Sequence, residues 1–174
     1  TPMALTSPSQ ASTVSWLTWW LGKPGRDERA RTCLALGSLY GGLCLGPVNT
    51  GAVHALAYPL ASRFGVAHGV SNALLLAPVL RFNLPWAVER YAAVARALGV
   101  PPGGSPAAMA EKGFRRLEEL LSQCPLPRRL SALGVPRAAL PELAAAAMTV
   151  TRLLKNNPRP VSEPDALEIY HAAW

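Results

Sequence analysis

Negative charge is what this sequence has least of. Ten acidic residues face seventeen basic ones among 174 residues, and only two of the acids, Asp27 and Asp165, are aspartates. Lysine is nearly as scarce, with three against fourteen arginines. The arginines stand singly or in pairs (Arg26, Arg29 and Arg31; Arg115 and Arg116; Arg128 and Arg129) without interleaved aromatics, so the net charge of +7 reads as solvated surface and not as a nucleic-acid face. Cysteine is rare too. Cys33, Cys44 and Cys124 share no CxxC spacing, which excludes a thiolate zinc ribbon and a disulfide framework and suits a reducing cytoplasm. Cys33 and Cys44 fall in an apolar run and are expected to be small buried hydrophobes.

Other absences narrow the fold. No segment alternates apolar and polar residues with a period of two, so strands are not expected. Gly103-Gly104-Ser105 lacks the strand-and-helix context of a phosphate loop, and no cofactor-binding residue is assigned. No basic and apolar leader opens the chain. The uncharged run from Thr32 to Ser62 is interrupted by Pro47, Asn49, Thr50, His54, Pro59 and several glycines, so it reads as buried core helices, with no membrane partner.

What is present is helical. From Ser9 onward Val14, Leu17, Thr18 and Leu21 follow a helical spacing, with Trp16, Trp19 and Trp20 as core or interface bulk. Asp27 is a plausible cap for a second helix whose face, from Ala30 through Leu34 and Leu36, becomes apolar all round by Leu39, the pattern of a central helix. Further helices are expected over Val48–Ser62, His68 to Pro78 or Leu80, Pro85–Leu98, one capped by Ser105, Pro136–Leu154, and Glu163–Ala173 capped by Ser162. The length and the apolar half of the composition fit one domain spanning residues 1–174, an all-α helical bundle.

Two of the three histidines, His54 and His68, lie in the stretch from Thr32 to Leu80, where Arg63 is the sole formal charge, and both are expected to be deeply buried. The rise of a helix from His54 to Ser62, about 12 Å, can be recovered by five or six extended residues, so His68 can return beside His54. Two histidines are compatible with half a metal site and equally with core imidazoles bonded to carbonyls. Tyr58 shares the His54 face, one turn on. Asn72, one turn after His68, can orient that ring or make a simple buried hydrogen bond. His171 reads as a surface or packing residue.

Gly51, His54, Pro59 and Leu60, followed by His68, Gly69, Asn72, Pro78 and Asn83, resemble the metal-site signature of the iron-containing (group III) alcohol dehydrogenases. Asn156-Asn157-Pro158-Arg159, ahead of the helix Glu163 to Trp174, is similar to a second signature of that family. The resemblance implies a dehydroquinate synthase-like, all-helical C-terminal domain, with an N-terminal nucleotide-binding domain that lies outside residues 1–174. It implies an enzyme that interconverts an alcohol and an aldehyde or ketone with NAD(P) on Fe²⁺ or Zn²⁺, the metal held in part by His54 and His68. It also implies a substrate pocket lined by Leu153, which favours an apolar substrate, while Tyr58 departs from the histidine that many members have there and either donates a hydrogen bond to the substrate alkoxide as a catalytic residue or is a structural tyrosine. The Asp and the His four residues on that complete the family's ligand set have no counterpart, since Arg31 and Ile169 follow Asp27 and Asp165 at that spacing. The chain alone is therefore expected to be inactive and to hold metal weakly or not at all, and an exposed apolar face would favour a homodimer. The alternative is a non-catalytic helical scaffold or dimerisation module.

Overall fold

The computed structural model describes residues 28–174. The expected first helix, with Trp16, Trp19 and Trp20, and the Asp27 cap lie outside the described residues. Within these, the elements are α1 (Glu28–Val48), α2 (Ala52–Phe64), α3 (His68–Asn83), α4 (Val88–Ala97), α5 (Pro106–Gln123), α6 (Leu140–Met148), α7 (Thr151–Leu154) and α8 (Glu163–Ala173). Short 3₁₀ turns at Leu84–Trp86, Leu130–Leu133 and Arg137–Ala139 join some of them. No strand occurs among the described residues, and the class is all-α.

The chain, expected to be one domain, divides into two compact units, one holding residues up to Gly41 and Val88–Cys124, the other Gly42–Ala87 and Pro125–Trp174. In the first, α4 packs on α5 around Ala92, Ala95 and Met109. Their close approach depends on Gly113, where an added Cβ would fall 2.5 Å from Ala95 Cβ and 2.9 Å from its Cα. Ser105 caps α5 as expected, its hydroxyl accepting from Ala108 N at 3.2 Å.

The second unit carries the larger core. Leu56 and Leu60 of α2 meet Leu75 and Val79 of α3, Leu140 and Leu143 of α6, and Ile169 and Tyr170 of α8. The fully buried Tyr170 hydroxyl donates to Leu56 O at 2.6 Å, which anchors α8 to α2 without leaving a buried polar atom unpaired. Desolvation pushes that phenol far above its usual range, so it remains a donor. Ser162 and Asp165 form the capping box of α8, with Asp165 N to Ser162 Oγ at 3.3 Å and Ser162 N to Asp165 Oδ2 at 2.9 Å.

Three expectations change. The helix expected over Pro136–Leu154 is broken into a 3₁₀ turn, α6 and α7, the last two separated where the β-branched Val150 leaves helical backbone at φ −86° and ψ 52°. The expected central helix is exposed instead: Leu39, Leu43 and Val48 of α1 are 55%, 64% and 68% accessible. Cys44 is exposed with it, not buried, and Cys33 and Cys124 are half-buried free thiols.

Candidate metal centre and cleft

His54 is the third residue of α2, and His68 opens α3. The return between them turns on Gly65, which takes φ +63° at the end of α2 and donates to Ala61 O at 3.1 Å, with Val66 N bonding back to Leu60 O at 3.4 Å. A left-handed residue there suits glycine, and the wrapped turn returns the chain so that α3 packs on α2. The two imidazoles converge, with ring centroids 5.2 Å apart and planes inclined at 58°.

Asn72 sits between them. Its Nδ2 is 3.4 Å from His54 Nε2 and 3.0 Å from His68 Nε2, so one amide group with two N–H bonds meets two ring nitrogens. With Nδ1 protonated on both rings, both Nε2 lone pairs point at the same small volume. Asn72 Oδ1 is buried and has no hydrogen-bond partner among the described residues. Burial first, and then the neighbouring His68, hold His54 below its usual 6.5, which favours the neutral, lone-pair-bearing ring.

Neither histidine is deeply buried. His54 is half-buried and His68 is exposed, because both face an open cleft of about 580 Å³. Tyr58 lines the same cleft, stacks on His68 at 6.0 Å between ring centroids, and is 41% accessible. Leu153 does not reach it. That side chain is 1% exposed in the interior, and its neighbour Arg152 lines the cleft instead. Spacing within a four-residue helix gave no means of deciding which of the two would face outward.

Two imidazole nitrogens and a nearby unpartnered amide oxygen suit Fe²⁺ or Zn²⁺ as part of a ligand set. Among the described residues no cluster of three or more His, Cys, Asp or Glu side chains completes it.

Residues absorbed by no prediction hold the frame. Asn83 Nδ2 donates to Asn157 Oδ1 at 2.9 Å and Asn157 Nδ2 to Asn83 Oδ1 at 2.7 Å, closing a reciprocal amide pair between the end of α3 and the segment after α7. Asn157 also lies against Gly51, the residue before α2, where an added Cβ would be 3.5 Å from Asn157 Oδ1. Asn156 Nδ2 donates to Thr50 O at 3.0 Å. Arg159 stacks its guanidinium on Phe82 at 3.8 Å and donates to Phe82 O at 3.2 Å. The Asn-Asn-Pro-Arg motif was the sequence signal for this clasp; its partners were not legible.

Residues 20–174 match the family described as Fe-containing alcohol dehydrogenase, C-terminal. The chain belongs to that family. Its iron-containing alcohol dehydrogenase relatives include long-chain-alcohol dehydrogenase 1 of Geobacillus thermodenitrificans, 37% identical over 86% of this chain and 38% of the relative. Lactaldehyde reductase of Escherichia coli K12 is 33% identical over 88% of this chain and 40% of that protein. The chain thus spans about two fifths of the length of these curated relatives. Among solved structures, a 1,3-propanediol oxidoreductase aligns with a TM-score of 0.83 and 28% identity, over 97% of this chain and 46% of that one. The helical domain of the iron-containing alcohol dehydrogenases is accordingly the fold of this chain. No helix among the described residues is long and apolar enough to cross a membrane.

Proposed function

We propose that this chain is the metal-bearing helical part of a cytoplasmic NAD(P)-dependent alcohol dehydrogenase that interconverts an alcohol and an aldehyde or ketone. The observation that carries the reading is the approach of His54 Nε2 and His68 Nε2 to the single Asn72 amide nitrogen, at 3.4 and 3.0 Å. Lewis acidity at the substrate oxygen is what a bound Fe²⁺ or Zn²⁺ supplies. His54 and His68 are the residues that would hold it, and their neutral rings are the form able to do so. Asn72, by donating to both Nε2 atoms, holds the two rings convergent, and its N–H groups would give up those lone pairs to a bound metal. The Tyr58 hydroxyl, beside His68, would hydrogen-bond the substrate oxygen. NAD(P) would enter with a nucleotide-binding domain outside residues 1–174, and that domain would supply the carboxylate and the third imidazole that no cluster among the described residues provides. The 174-residue chain alone therefore binds Zn²⁺ or Fe²⁺ weakly and turns nothing over.

Joining the chain to a nucleotide-binding domain of an iron-containing relative tests this. Metal uptake and NAD(P)-linked oxidation of short alcohols are both expected, and both are expected to vanish in His68→Ala. Metal-independent turnover would overturn the reading.

A second reading, a non-catalytic scaffold or dimerisation module, draws on the exposed Leu39, Leu43 and Val48 of α1. Such a face associates readily with a second copy. Under it, the purified chain sediments as a dimer, and the joined protein takes up no metal.

A further inference from the structure

Arg152 is the one feature of the cleft that the reading above leaves without work. Its side chain lines the same cleft as His54, Tyr58 and His68, is exposed, and makes no ion pair among the described residues. Other arginines of this unit are engaged: Arg63 pairs with Glu142, Arg159 lies 3.7 Å from Asp165, and Arg137 sits 5.7 Å over Trp174. Among the described residues no Asp or Glu lines the cleft, whose remaining polar lining is neutral, Asn49 and Thr50. A guanidinium facing such a volume has no counter-charge of its own.

The mounting of Arg152 is built. Leu153, next in sequence, is locked in the interior at 1% exposure, which turns Arg152 outward. Asn156 Nδ2 lies 3.4 Å from Arg152 O and 3.0 Å from Thr50 O, so one amide ties the arginine's backbone to the cleft floor. Asn49 Oδ1 is used by Thr50 N at 2.8 Å, which leaves the Asn49 amide N–H groups available as further donors.

We infer that Arg152 selects a substrate that carries a carboxylate on the carbon chain of its alcohol or aldehyde, the acid end held by the guanidinium while the reacting oxygen lies at His54 and His68. This rests on the dehydrogenase reading and narrows its substrate class from an apolar alcohol to a hydroxy acid or an oxo acid. The planar fork of arginine matches the two oxygens of a carboxylate and pairs with them bidentately.

The test uses the 174-residue chain first, so that it does not depend on turnover. NMR titration with 3-hydroxypropanoate and 4-hydroxybutanoate is expected to move the Arg152 side-chain N–H and the imidazole signals, while 1-propanol and 1-butanol do not. Arg152→Ala should weaken carboxylate binding roughly 10- to 100-fold, and Arg152→Lys less, since one charge-assisted pair is lost or reshaped. Absence of hydroxy-acid binding to the unaltered chain, equal binding of the alcohols, or unchanged binding in Arg152→Ala would overturn the inference. So would tighter binding of 3-hydroxypropyl phosphate than of the carboxylates. The joined enzyme supplies the second arm: Arg152→Ala should lower kcat/KM for the hydroxy acids and leave that for neutral alcohols unchanged. A rise confined to the KM of NAD(P) would show that the anion is a dinucleotide phosphate, and overturn it. If carboxylates bind the chain but no alcohol of any class turns over, the dehydrogenase reading fails while the anion site stands.

Discussion

Asn83 and Asn157, 74 positions apart, face each other amide to amide and exchange two hydrogen bonds of 2.9 and 2.7 Å. Asn83 is 3% exposed, so its amide cannot turn to water if Asn157 is lost, whereas the half-buried Asn157 also donates to Arg159 O at 2.6 Å. The pair fastens the end of the His68 helix to the segment that touches Gly51, ahead of the His54 helix.

Truncating Asn157 should therefore cost more than an ordinary hydrogen bond. Asn157→Ala, which strands the buried Asn83 amide, is expected to lower unfolding free energy by about 2–3 kcal/mol, and Asn83→Ala by less, since the half-buried Asn157 keeps its bond to Arg159 O. The double change Asn83→Leu with Asn157→Leu should cost less than the sum of the two single leucine variants. Denaturant unfolding of the four proteins in a cycle checks this, and additivity would show that the two amides are not coupled.

At Gly113 the restriction is steric. A methyl group there would overlap the backbone of Ala95, so Gly113→Ala should destabilise the α4–α5 pair by about 1–3 kcal/mol despite the gain in helix propensity. Thermal unfolding would show it, and a stabilised variant would mean that the two helices have room to part.

The two imidazoles can be tested without catalysis. Isothermal titration of the chain with Zn²⁺ should give weak binding that is lost in His54→Ala and in His68→Ala. Asn72→Ala releases the rings but also frees both Nε2 lone pairs, so weak binding should persist in it, unlike in the histidine variants. Asn72→Asp should strengthen it, because a carboxylate then joins two imidazoles. Equal affinity in all four variants would place the ion elsewhere.

Acid should loosen the last helix. The Ser162 hydroxyl most of all, then its backbone N–H and Arg159, hold the Asp165 carboxyl below its usual 3.8 against the opposing effect of burial. A carboxyl whose folded pKa is depressed adds stability that is complete above 3.8 and is lost as pH falls through the lower folded value. Unfolding followed from about pH 5 to about pH 2 should show this loss, and Asp165→Asn should flatten the part of the curve below 3.8. Ser162→Ala should cost about 1 kcal/mol at neutral pH through the lost cap.

Much of this molecule is written locally. The caps at Ser105 and Ser162, and the start of α3 at His68, follow from hydrogen bonds and turns made within a few residues, which is why they were legible in the chain. The approach of His54 to His68 was legible for the same reason, since a helix rise and a short return bound their separation. Tertiary structure alone decided the rest. A helical period relates the faces of one helix to each other but not to its neighbours, so it could not say that α1 would be exposed or that Leu153 would turn inward and Arg152 out. The meeting of Asn72 with both rings, and of Asn83 with Asn157, depends on how separate segments settle against one shared core. No spacing along the chain encodes that, because the energy deciding it is the burial and pairing of groups brought together only when the helices pack.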